Sequence, residues 1–250
     1  MKTRLFSLTF LIASLILILF AGCKKKTQAP EPTQYGTVTD ADGNTYTTVK
    51  IGNQWWMAEN LRTTKYRNGW PIKQVTSTDN DTVWSKATKA FYCTYGYQPS
   101  PPNRYGLLYN WYVITDTNQI APAGWHIPTD DEWKQLEKTL GMSSADADKV
   151  NWRGSHEADK MKVASPLDWA AYGNVWSTNE SGFSAYGACC RLFDGEWGNP
   201  GTTNTAFWWS STTHGTDSKA WYRYLDYKNS NVFRYYGYKT YGMSIRCVKD

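Results

Sequence analysis

The chain has 250 residues and a formal charge of +5. Its first 34 residues hold five of the 27 basic side chains and one of the 22 acidic ones, so the rest carries 22 basic against 21 acidic groups. Such a balance excludes the broad basic surface of a nucleic-acid-binding protein, and no nucleic-acid partner is expected. No repeat or second linker interrupts residues 36–250, which predicts a single domain there.

The first 22 residues have the pattern of a secretory signal peptide. Lys2 and Arg4 form a basic start, and an almost unbroken apolar run extends over residues 8–20. That run is shorter than the roughly 20 residues needed to span a bilayer, which disfavours the alternative of an uncleaved transmembrane anchor. Two small residues then precede Cys23, a pattern that resembles a bacterial lipobox and implies a diacylglycerol on this cysteine.

Residues 23–35 are predicted to form a lipidated, flexible tether. They contain three consecutive lysines and no hydrophobic run, so they have nothing with which to build a core. Two or more acyl chains on one cysteine would make the anchor stable, and the membrane is therefore an expected partner.

A β-hairpin is predicted over residues 36–51. Alternating Val and Thr residues flank Asp42-Gly43, which is a strong signal for a two-residue turn. The same turn resembles the start of a calcium loop, but Thr45 stands where that loop requires Gly and Ile51 where it requires Glu. The turn is therefore the favoured interpretation, and no metal site is expected there.

Two helices are predicted in the middle of the chain, after a buried strand and corner at residues 54–61 and loops at residues 62–104. Residues 105–115 place their apolar side chains on one helical face. The second helix begins after Thr129, which forms a capping box with Glu132. The apolar stripe of this second helix consists of Trp133, Leu136 and Leu140.

The region from residue 143 onward is predicted to consist of turns and short strands. Its tryptophans are scattered among Gly, Ser and Asn, which is typical of small sheets held by aromatic clusters. Neither a helical bundle nor a doubly wound sheet has this pattern. Residues 243–248 alternate between apolar and polar side chains and are predicted to form a closing strand.

Four cysteines follow the lipobox, and an exported protein could oxidise them. They allow three pairings, and their spacing selects none, although a bridge between the neighbours at 189 and 190 would need a strained ring. The three histidines lie far from them in sequence, so no zinc site is expected. His126 is a candidate for catalysis, but a lone histidine between Trp125 and a proline turn is more often structural. The cysteines are Cys93, Cys189, Cys190 and Cys247.

The stretch from Trp221 to Tyr241 holds seven tyrosines, one Trp and one Phe among Asn, Ser, Gly, Lys and Arg. This mixture is poor for a dry core, because each buried hydroxyl needs a partner, but it suits a recognition surface. About a third of the rings are expected to be buried, with Trp221 foremost. The predicted ligand face consists of Tyr222, Tyr224, Tyr227, Asn229, Asn231, Phe233, Tyr235, Tyr236, Tyr238 and Tyr241.

Seven segments of the chain occur in the order found in a known family. They are TVTDADGNTYTTVKIGNQWWMAENLRTTKY, YGLLYNWYVI, APAGWHIPTDDEWKQLEKTLG, SGFSA, WWSST, AWYRYL and GMSIRCVKD. Together they resemble the Fibrobacter succinogenes major paralogous domain, abbreviated FISUMP, over residues 36–250. The resemblance implies an α+β, C-type-lectin-like fold related to formylglycine-generating enzyme, with two helices, short twisted antiparallel sheets and long loops.

The resemblance also bears on location, because the family is typical of exported lipoproteins in the Bacteroidota and Fibrobacter lineages. It implies an outer-membrane protein anchored through Cys23, and the cell surface is favoured over the periplasmic face. Surface-export signals in Bacteroidota lipoproteins tend to be acidic after the cysteine, whereas this chain has three lysines there. The periplasmic face therefore remains the alternative.

One stretch departs from the family pattern. Where relatives read like NVNRNNNNKTNGFSVRCV, this chain reads NVFRYYGYKTYGMSIRCV at residues 231–248. An AAY codon for Asn becomes a codon for Tyr, Phe or Gly when only its adenines change, and diversity-generating retroelements make such changes. We therefore hypothesise retroelement diversification of this stretch, with ordinary drift as the alternative.

These observations predict a non-catalytic, lipid-anchored binding protein of the cell envelope, without a cofactor, whose ligand is a glycan or a protein. A structural adhesin or envelope assembly component, using the same face to bind another envelope protein, is the alternative. An oxidase related to formylglycine-generating enzyme is less favoured. That chemistry uses a reactive cysteine pair with copper, which the adjacent Cys189 and Cys190 do not obviously fit.

Overall fold

The computed structural model describes residues 33–79, 81–97, 103–198, 204–215 and 218–250. The predicted signal peptide, Cys23 and most of the predicted tether lie outside these residues. Residues 33–250 form one compact unit. Within the described ranges, no helix combines the length and the apolar character needed to cross a membrane.

Four short α-helices occur in the described residues, and only the second is longer than five residues. Three single turns of 3₁₀-helix lie at Tyr95–Tyr97, Asn103–Tyr105 and Trp111–Val113. The α-helices are α1 (Asp81–Ser85), α2 (Asp130–Thr139), α3 (Ser144–Ala147) and α4 (Glu157–Met161).

The described strands form four small sheets, and every pairing except β4 with β5 is antiparallel. The strands are β1 (Tyr35–Thr39), β2 (Thr45–Ile51), β3 (Gln54–Met57), β4 (Lys73–Gln74), β5 (Phe91–Cys93), β6 (Leu108–Tyr109), β7 (Trp125–His126), β8 (Asn151–Arg153), β9 (Cys190–Arg191), β10 (Trp197–Gly198), β11 (Thr205–Thr213), β12 (Lys219–Asp226), β13 (Val232–Tyr238) and β14 (Val248–Lys249). Their orders are β1-β2-β3-β14-β7, β11-β12-β13-β8, β4-β5-β6 and β10-β9. This architecture confirms the predicted α+β class with short, mostly antiparallel sheets.

The predicted hairpin is confirmed as β1 and β2, which pair from Tyr35 opposite Val49 to the turn. Gly43 has φ +82°, a left-handed conformation that glycine adopts without strain. The Asp40 carboxylate accepts hydrogen bonds from the backbone N–H groups of Asp42 and Asn44. The turn therefore uses its acidic side chain to hold its own backbone.

The second predicted helix is confirmed as α2, and its capping box is formed as the sequence indicates. The Thr129 hydroxyl accepts from the Glu132 backbone N–H, and the Glu132 carboxylate accepts from the Thr129 N–H. Trp133 and Leu136 are fully buried. Trp133 contacts Trp56 across a centroid distance of 4.8 Å, so this helix covers the centre of the core.

The helix predicted over residues 105–115 is wrong, so the expectation of two helices fails in this part. The segment contains strand β6 and a 3₁₀ turn instead, because its N–H groups bond to distant residues. Tyr109 donates to the Met243 carbonyl and Trp111 to the Lys239 carbonyl. Gly106, with φ +69°, breaks the helical path before them. Tertiary hydrogen bonds therefore override the helical spacing of the apolar residues.

The predicted closing strand over residues 243–248 is also only partly correct. Met243 and Ser244 form isolated bridges to Tyr109 and Trp208, and the strand β14 begins at Val248. The segment changes its pairing partner along its length, so no single ladder forms before β14. Once formed, β14 lies between β3 and β7 inside the five-stranded sheet.

The sheet β11-β12-β13-β8 has two chemically different faces. Its inner face carries three buried arginines that pair with two acidic residues of α2. Arg223 contacts Glu137 at 2.6 Å, and Arg234 contacts Asp130 at 2.7 Å. Arg153 also pairs with Glu137. This network fixes α2 against the inner face and leaves the outer face for the side chains of alternate residues.

Candidate ligand-binding face

The outer face of the sheet β11-β12-β13-β8 is lined by aromatic rings. Tyr222 is paired with Tyr235 and Tyr224 with Phe233 across β12 and β13, and Phe233 is paired with Trp152 of β8. Since residues directly opposite each other share one face of a sheet, these rings come together. All of the rings are half-buried. The aromatic strip, as we name it, consists of Trp152, Phe207, Tyr222, Tyr224, Phe233 and Tyr235.

The rings of the aromatic strip are in direct contact with one another. Phe207 and Tyr224 stack with centroids 4.4 Å apart and an interplanar angle of 14°. Trp152 lies 5.1 Å from Phe233 and 5.2 Å from Tyr224, tilted against both. Tyr235 lies 5.8 Å from Phe233 at the other end. Such mutual contacts hold each ring in place. Phe207 and Tyr222 also pack against the hydrophobic core, so each ring of the strip keeps only part of its surface exposed.

The arginines of this sheet face away from the aromatic strip. Arg153, Arg223 and Arg234 lie on the inner face, where they bind Asp130 and Glu137. Burial raises the pKa of Asp130, but its hydrogen bonds and ion pairs with the arginines lower it below its ordinary value overall. The arginines and these carboxylates therefore neutralise each other away from the outer face.

The carboxylate at the end of the strip also has its hydrogen-bond donors within the protein. Asp226 is buried and accepts hydrogen bonds from the Tyr224 hydroxyl, the Lys228 N–H and the Asn229 amide. Burial raises the pKa of the Tyr222 and Tyr224 phenols, so both stay protonated over the physiological range. The strip consequently presents aromatic carbon and neutral hydroxyl groups.

Tyr241 lies beside the aromatic strip, whereas Tyr238 alternates to the same side of β13 as Tyr236, and the Lys219 ammonium lies near both of those rings. The Tyr241 ring covers Gly237, where an added Cβ would meet the ring at 2.9 Å and Tyr222 at 3.4 Å. Phe193 contacts both Tyr241 and Tyr238, with centroid distances of 5.9 and 5.2 Å. Tyr238 is 44% exposed, the most open of the predicted ligand residues.

Tyr236 belongs to a different aromatic cluster. It stacks on His214 with centroids 3.6 Å apart, and Trp221 lies 5.6 Å from it. The Arg234 guanidinium sits 3.6 Å from the Trp221 ring centre. The expectation that Trp221 is the most buried ring is wrong. It is only half-buried, because it lies at the rim of the inner face against Arg234. Tyr236 also stacks on Tyr235, which links this cluster to the aromatic strip.

The remaining predicted residues lie in the turn between β12 and β13. The Asn229 amide donates to Asp226 at 2.8 Å, and the Asn231 amide donates to the Gly154 carbonyl at 2.6 Å. Tyr227 is half-buried and packs against the core that contains the α2 side chains. These contacts hold the turn, and the structure does not bring the three side chains onto the aromatic strip.

The four cysteines beyond Cys23 are buried, and none is joined to another by a disulfide. Burial raises the pKa of the Cys93 thiol to about 12 and raises that of Cys247 further. A hydrogen bond between neighbouring side chains lowers the pKa of Cys189 and, together with burial, raises the pKa of Cys190. No group of three or more potential metal ligands occurs among the described residues.

A cavity of about 340 Å³ beside β7 is a second candidate site. His126 lines it, and its ring nitrogens contact Asp250 at 2.7 Å and Glu132 at 2.8 Å. Burial lowers the pKa of His126, but these hydrogen bonds more than offset that and raise it above the ordinary value. Both nitrogens are thus engaged in joining three elements, in agreement with the structural interpretation of this histidine.

Sequence reasoning missed two members of the aromatic strip. Trp152 lies in a three-residue strand, β8, which begins with Asn151 at φ +66° and shows no alternating pattern of its own. Phe207 precedes two buried tryptophans in β11 and resembles core in the sequence. The alternation of β11 is the only signal that separates Phe207 from Trp208, and it becomes useful only when the register is known.

The family model of the Fibrobacter succinogenes major domain matches residues 49–249, about four fifths of the chain. The chain belongs to this family. All six residues of the aromatic strip lie inside the matched region, as do α2 and the charged network beneath the sheet. Searches of curated proteins and of solved structures find no matching protein. The family membership predicted from the seven segments is therefore confirmed.

Proposed function

We propose that this member of the Fibrobacter succinogenes major domain family is a non-catalytic binding protein of the cell envelope, with the aromatic strip as its ligand face. One observation carries the proposal. Six mutually contacting, half-buried rings line a sheet face on which the arginines of that sheet do not lie. Exposed aromatic clusters of this kind mark binding sites, since rigid rings supply contact area at low entropy cost.

The proposal includes attachment to the outer membrane through a lipid on Cys23, with the domain facing the cell exterior. The lipobox-like sequence and the short apolar run support this part. A flexible tether would place the aromatic strip within reach of ligands outside the membrane. The C-type-lectin-like fold is part of the same proposal, and the confirmed family and α+β class support it.

A second candidate function is that of an adhesin or envelope assembly component, in which the same face binds another envelope protein. Phe193, which contacts the Tyr241 ring beside the strip, favours this candidate, because it is 44% exposed and adds to the contact area. Two of the four cysteines argue against an oxidase. Cys93 and Cys247 are fully buried with raised thiol pKa values, and buried thiols of this kind are inert, whereas the hydrogen bond with Cys190 lowers the pKa of Cys189.

Retroelement diversification of residues 231–248 is a further part of the proposal. Phe233 and Tyr235 belong to the aromatic strip and Tyr241 lies beside it, so changes at these positions would alter the ligand face. The side chains of Phe233 and Tyr235 are half-buried, which permits substitution, whereas Tyr241 also packs against the hydrophobic core. Sequencing of the flanking DNA tests this part. The absence of a near-identical template repeat and of a reverse transcriptase would refute it.

The binding function is tested with the detergent-solubilised full chain and the double variant Tyr224→Ala/Phe233→Ala. We expect wild type to bind spots on a glycan array or immobilised envelope fragments, and the variant to lose at least about tenfold in affinity. Trp70→Ala is the matched control, because Trp70 is 67% exposed and lies outside the strip. Thermal unfolding shows whether the variant is folded. Equal binding by a folded double variant would refute the proposal.

A further inference from the structure

We infer that the ligand of the aromatic strip is an uncharged glycan. This inference rests on the proposed function and adds the chemical class of the ligand to it. It starts from three properties of the strip, which are its charge, its chemical composition and its size.

The charge of the strip argues against an anionic ligand. A nucleic acid, an acidic polysaccharide or a phosphorylated headgroup needs cations at its binding site. The three arginines of the sheet lie on its inner face and are bound to Asp130 and Glu137, and Lys219 of β12 lies over the Tyr236 and Tyr238 rings on the other side of β13 from the strip. None of the six side chains of the strip is ionised at neutral pH. The strip thus complements a ligand without charge.

The composition of the strip fits a ligand that is apolar on one side and rich in hydroxyl groups on the other. Three phenol groups, on Tyr222, Tyr224 and Tyr235, stand among three purely aromatic or indole rings. A tyrosine hydroxyl both donates and accepts, as sugar hydroxyls do, although the Tyr224 hydroxyl already donates to Asp226 and offers a ligand only its acceptor. Protein interfaces enrich Met and Arg beside aromatic residues, and the strip has neither.

The size of the strip also favours a short polymer over a protein. A stable protein interface takes roughly 20 to 30 residues from each side. The strip has six rings. Five of them are linked by centroid distances of 4.4 to 5.8 Å from Phe207 through Tyr224, Trp152 and Phe233 to Tyr235, and Tyr222 lies 6.2 Å from Phe207. A row of this length accommodates a few sugar rings. An oligosaccharide is therefore the occupant that matches all three properties.

The test uses isothermal titration of the solubilised full chain with neutral hexasaccharides of glucose, mannose and xylose, and with the acidic hexamer of galacturonic acid. We expect at least one neutral hexasaccharide to bind and the acidic one to bind more weakly. Binding of the neutral ligand is expected to change by less than about twofold between low and high salt, since screening acts on charges.

Two variants connect this binding to the strip. Trp152→Ala is expected to weaken binding of the neutral hexasaccharide by about tenfold. Tyr235→Phe keeps the ring and removes one hydroxyl, so a smaller loss of a few fold is expected while the melting temperature stays unchanged. Tyr235→Phe also keeps the test decisive if Trp152→Ala fails to fold.

Two outcomes separate this inference from the proposed function. Two results would overturn the neutral glycan as the ligand and leave the binding face in place. One is preferential, salt-sensitive binding of the acidic hexamer. The other is strip-dependent binding of a purified envelope protein with no sugar bound. Binding that neither variant weakens would overturn both.

Discussion

At the scale of single residues, the ligand face depends on small side chains as well as on large ones. Gly237 lies in β13 beneath the Tyr241 ring, and its backbone has an ordinary negative φ, so the residue is required for space. A methyl group there would displace Tyr241 and reach Tyr222 of the aromatic strip. The position of Tyr241 beside the strip thus depends on a residue that has no side chain to contribute.

The substitution Gly237→Ala tests this dependence. The added Cβ would lie 2.9 Å from the Tyr241 ring, so we expect the free energy of unfolding to fall by about 1–3 kcal/mol, as overpacking does. Urea denaturation measures the change. The control is the same substitution in a Tyr241→Ala background, where the cost is expected to be largely relieved. An equal cost in both backgrounds would contradict the contact.

His126 gives a second prediction at this scale, concerning pH. Its hydrogen bonds to Asp250 and Glu132 raise its folded pKa above the ordinary value of 6.5. A raised pKa means that the charged form stabilises the fold. The stabilisation is complete below pH 6.5 and is lost as pH rises through the folded pKa.

We therefore expect the wild-type melting temperature to fall as pH rises from 6.5 through the folded pKa of His126. His126→Gln keeps a polar side chain but does not titrate. Its melting temperature is therefore expected to be lower than that of the wild type and to change less with pH over that window. Differential scanning fluorimetry at a series of pH values measures both. A parallel decrease in the two proteins would assign the effect to other groups.

At the scale of elements, α2 is positioned by charge as well as by apolar packing. Trp133 and Leu136 bury one side of the helix, and Asp130 at its first turn accepts from Arg223 and Arg234. All of these side chains are removed from water. A buried network of this kind specifies one placement of α2, because a shifted helix would leave charges unpaired.

Asp130→Asn is expected to destabilise the protein by about 3–5 kcal/mol, since it leaves buried arginines without a full partner. Asp131→Asn is the matched control, because the neighbouring side chain is 89% exposed, and a change within about 0.5 kcal/mol is expected. Urea denaturation at pH 7 measures both. The two arginines lower the Asp130 pKa below 3.8 despite burial, so its contribution should fade only as pH falls through 3.8 and below. Similar values for the two variants would contradict the network.

At the scale of the whole molecule, the ligand face and the predicted tether lie in separate parts of the chain. The aromatic strip is assembled from β8, β11, β12 and β13, whereas the predicted lipid site precedes the folded unit. Anchoring and binding are therefore expected to be separable by mutation.

Cys23→Ser is expected to move the protein from the outer-membrane fraction to the soluble fraction, because it removes the predicted site of the acyl chains. Immunoblotting of fractionated cells measures this shift, and Trp152→Ala serves as the control that retains the anchor. Protease treatment of intact cells then reports orientation. Digestion of the domain indicates the cell surface, and its survival indicates the periplasmic face. Retention of Cys23→Ser in the membrane would contradict the lipid anchor.

Features whose hydrogen bonds are local could be predicted from the amino-acid sequence. The Asp42-Gly43 turn and the capping box of Thr129 and Glu132 satisfy backbone groups within a few residues, so their patterns predict the structure correctly. The family could also be recognised from the sequence, because its motifs are short and occur in order. The α+β class was implied by the resemblance to this family.

Which rings share a face, by contrast, depends on how distant strands pair. Whether Tyr235 or Tyr236 lies on the outer face depends on the register of β13 against β12, and a shift of one residue would exchange them. Trp152 joins the aromatic strip through a pairing with Phe233, far along the chain, that no local pattern encodes. For the same reason, residues 105–115 form long-range hydrogen bonds in place of the helical ones that their spacing predicts. Side-chain chemistry is local, but strand register is set by contacts between distant segments.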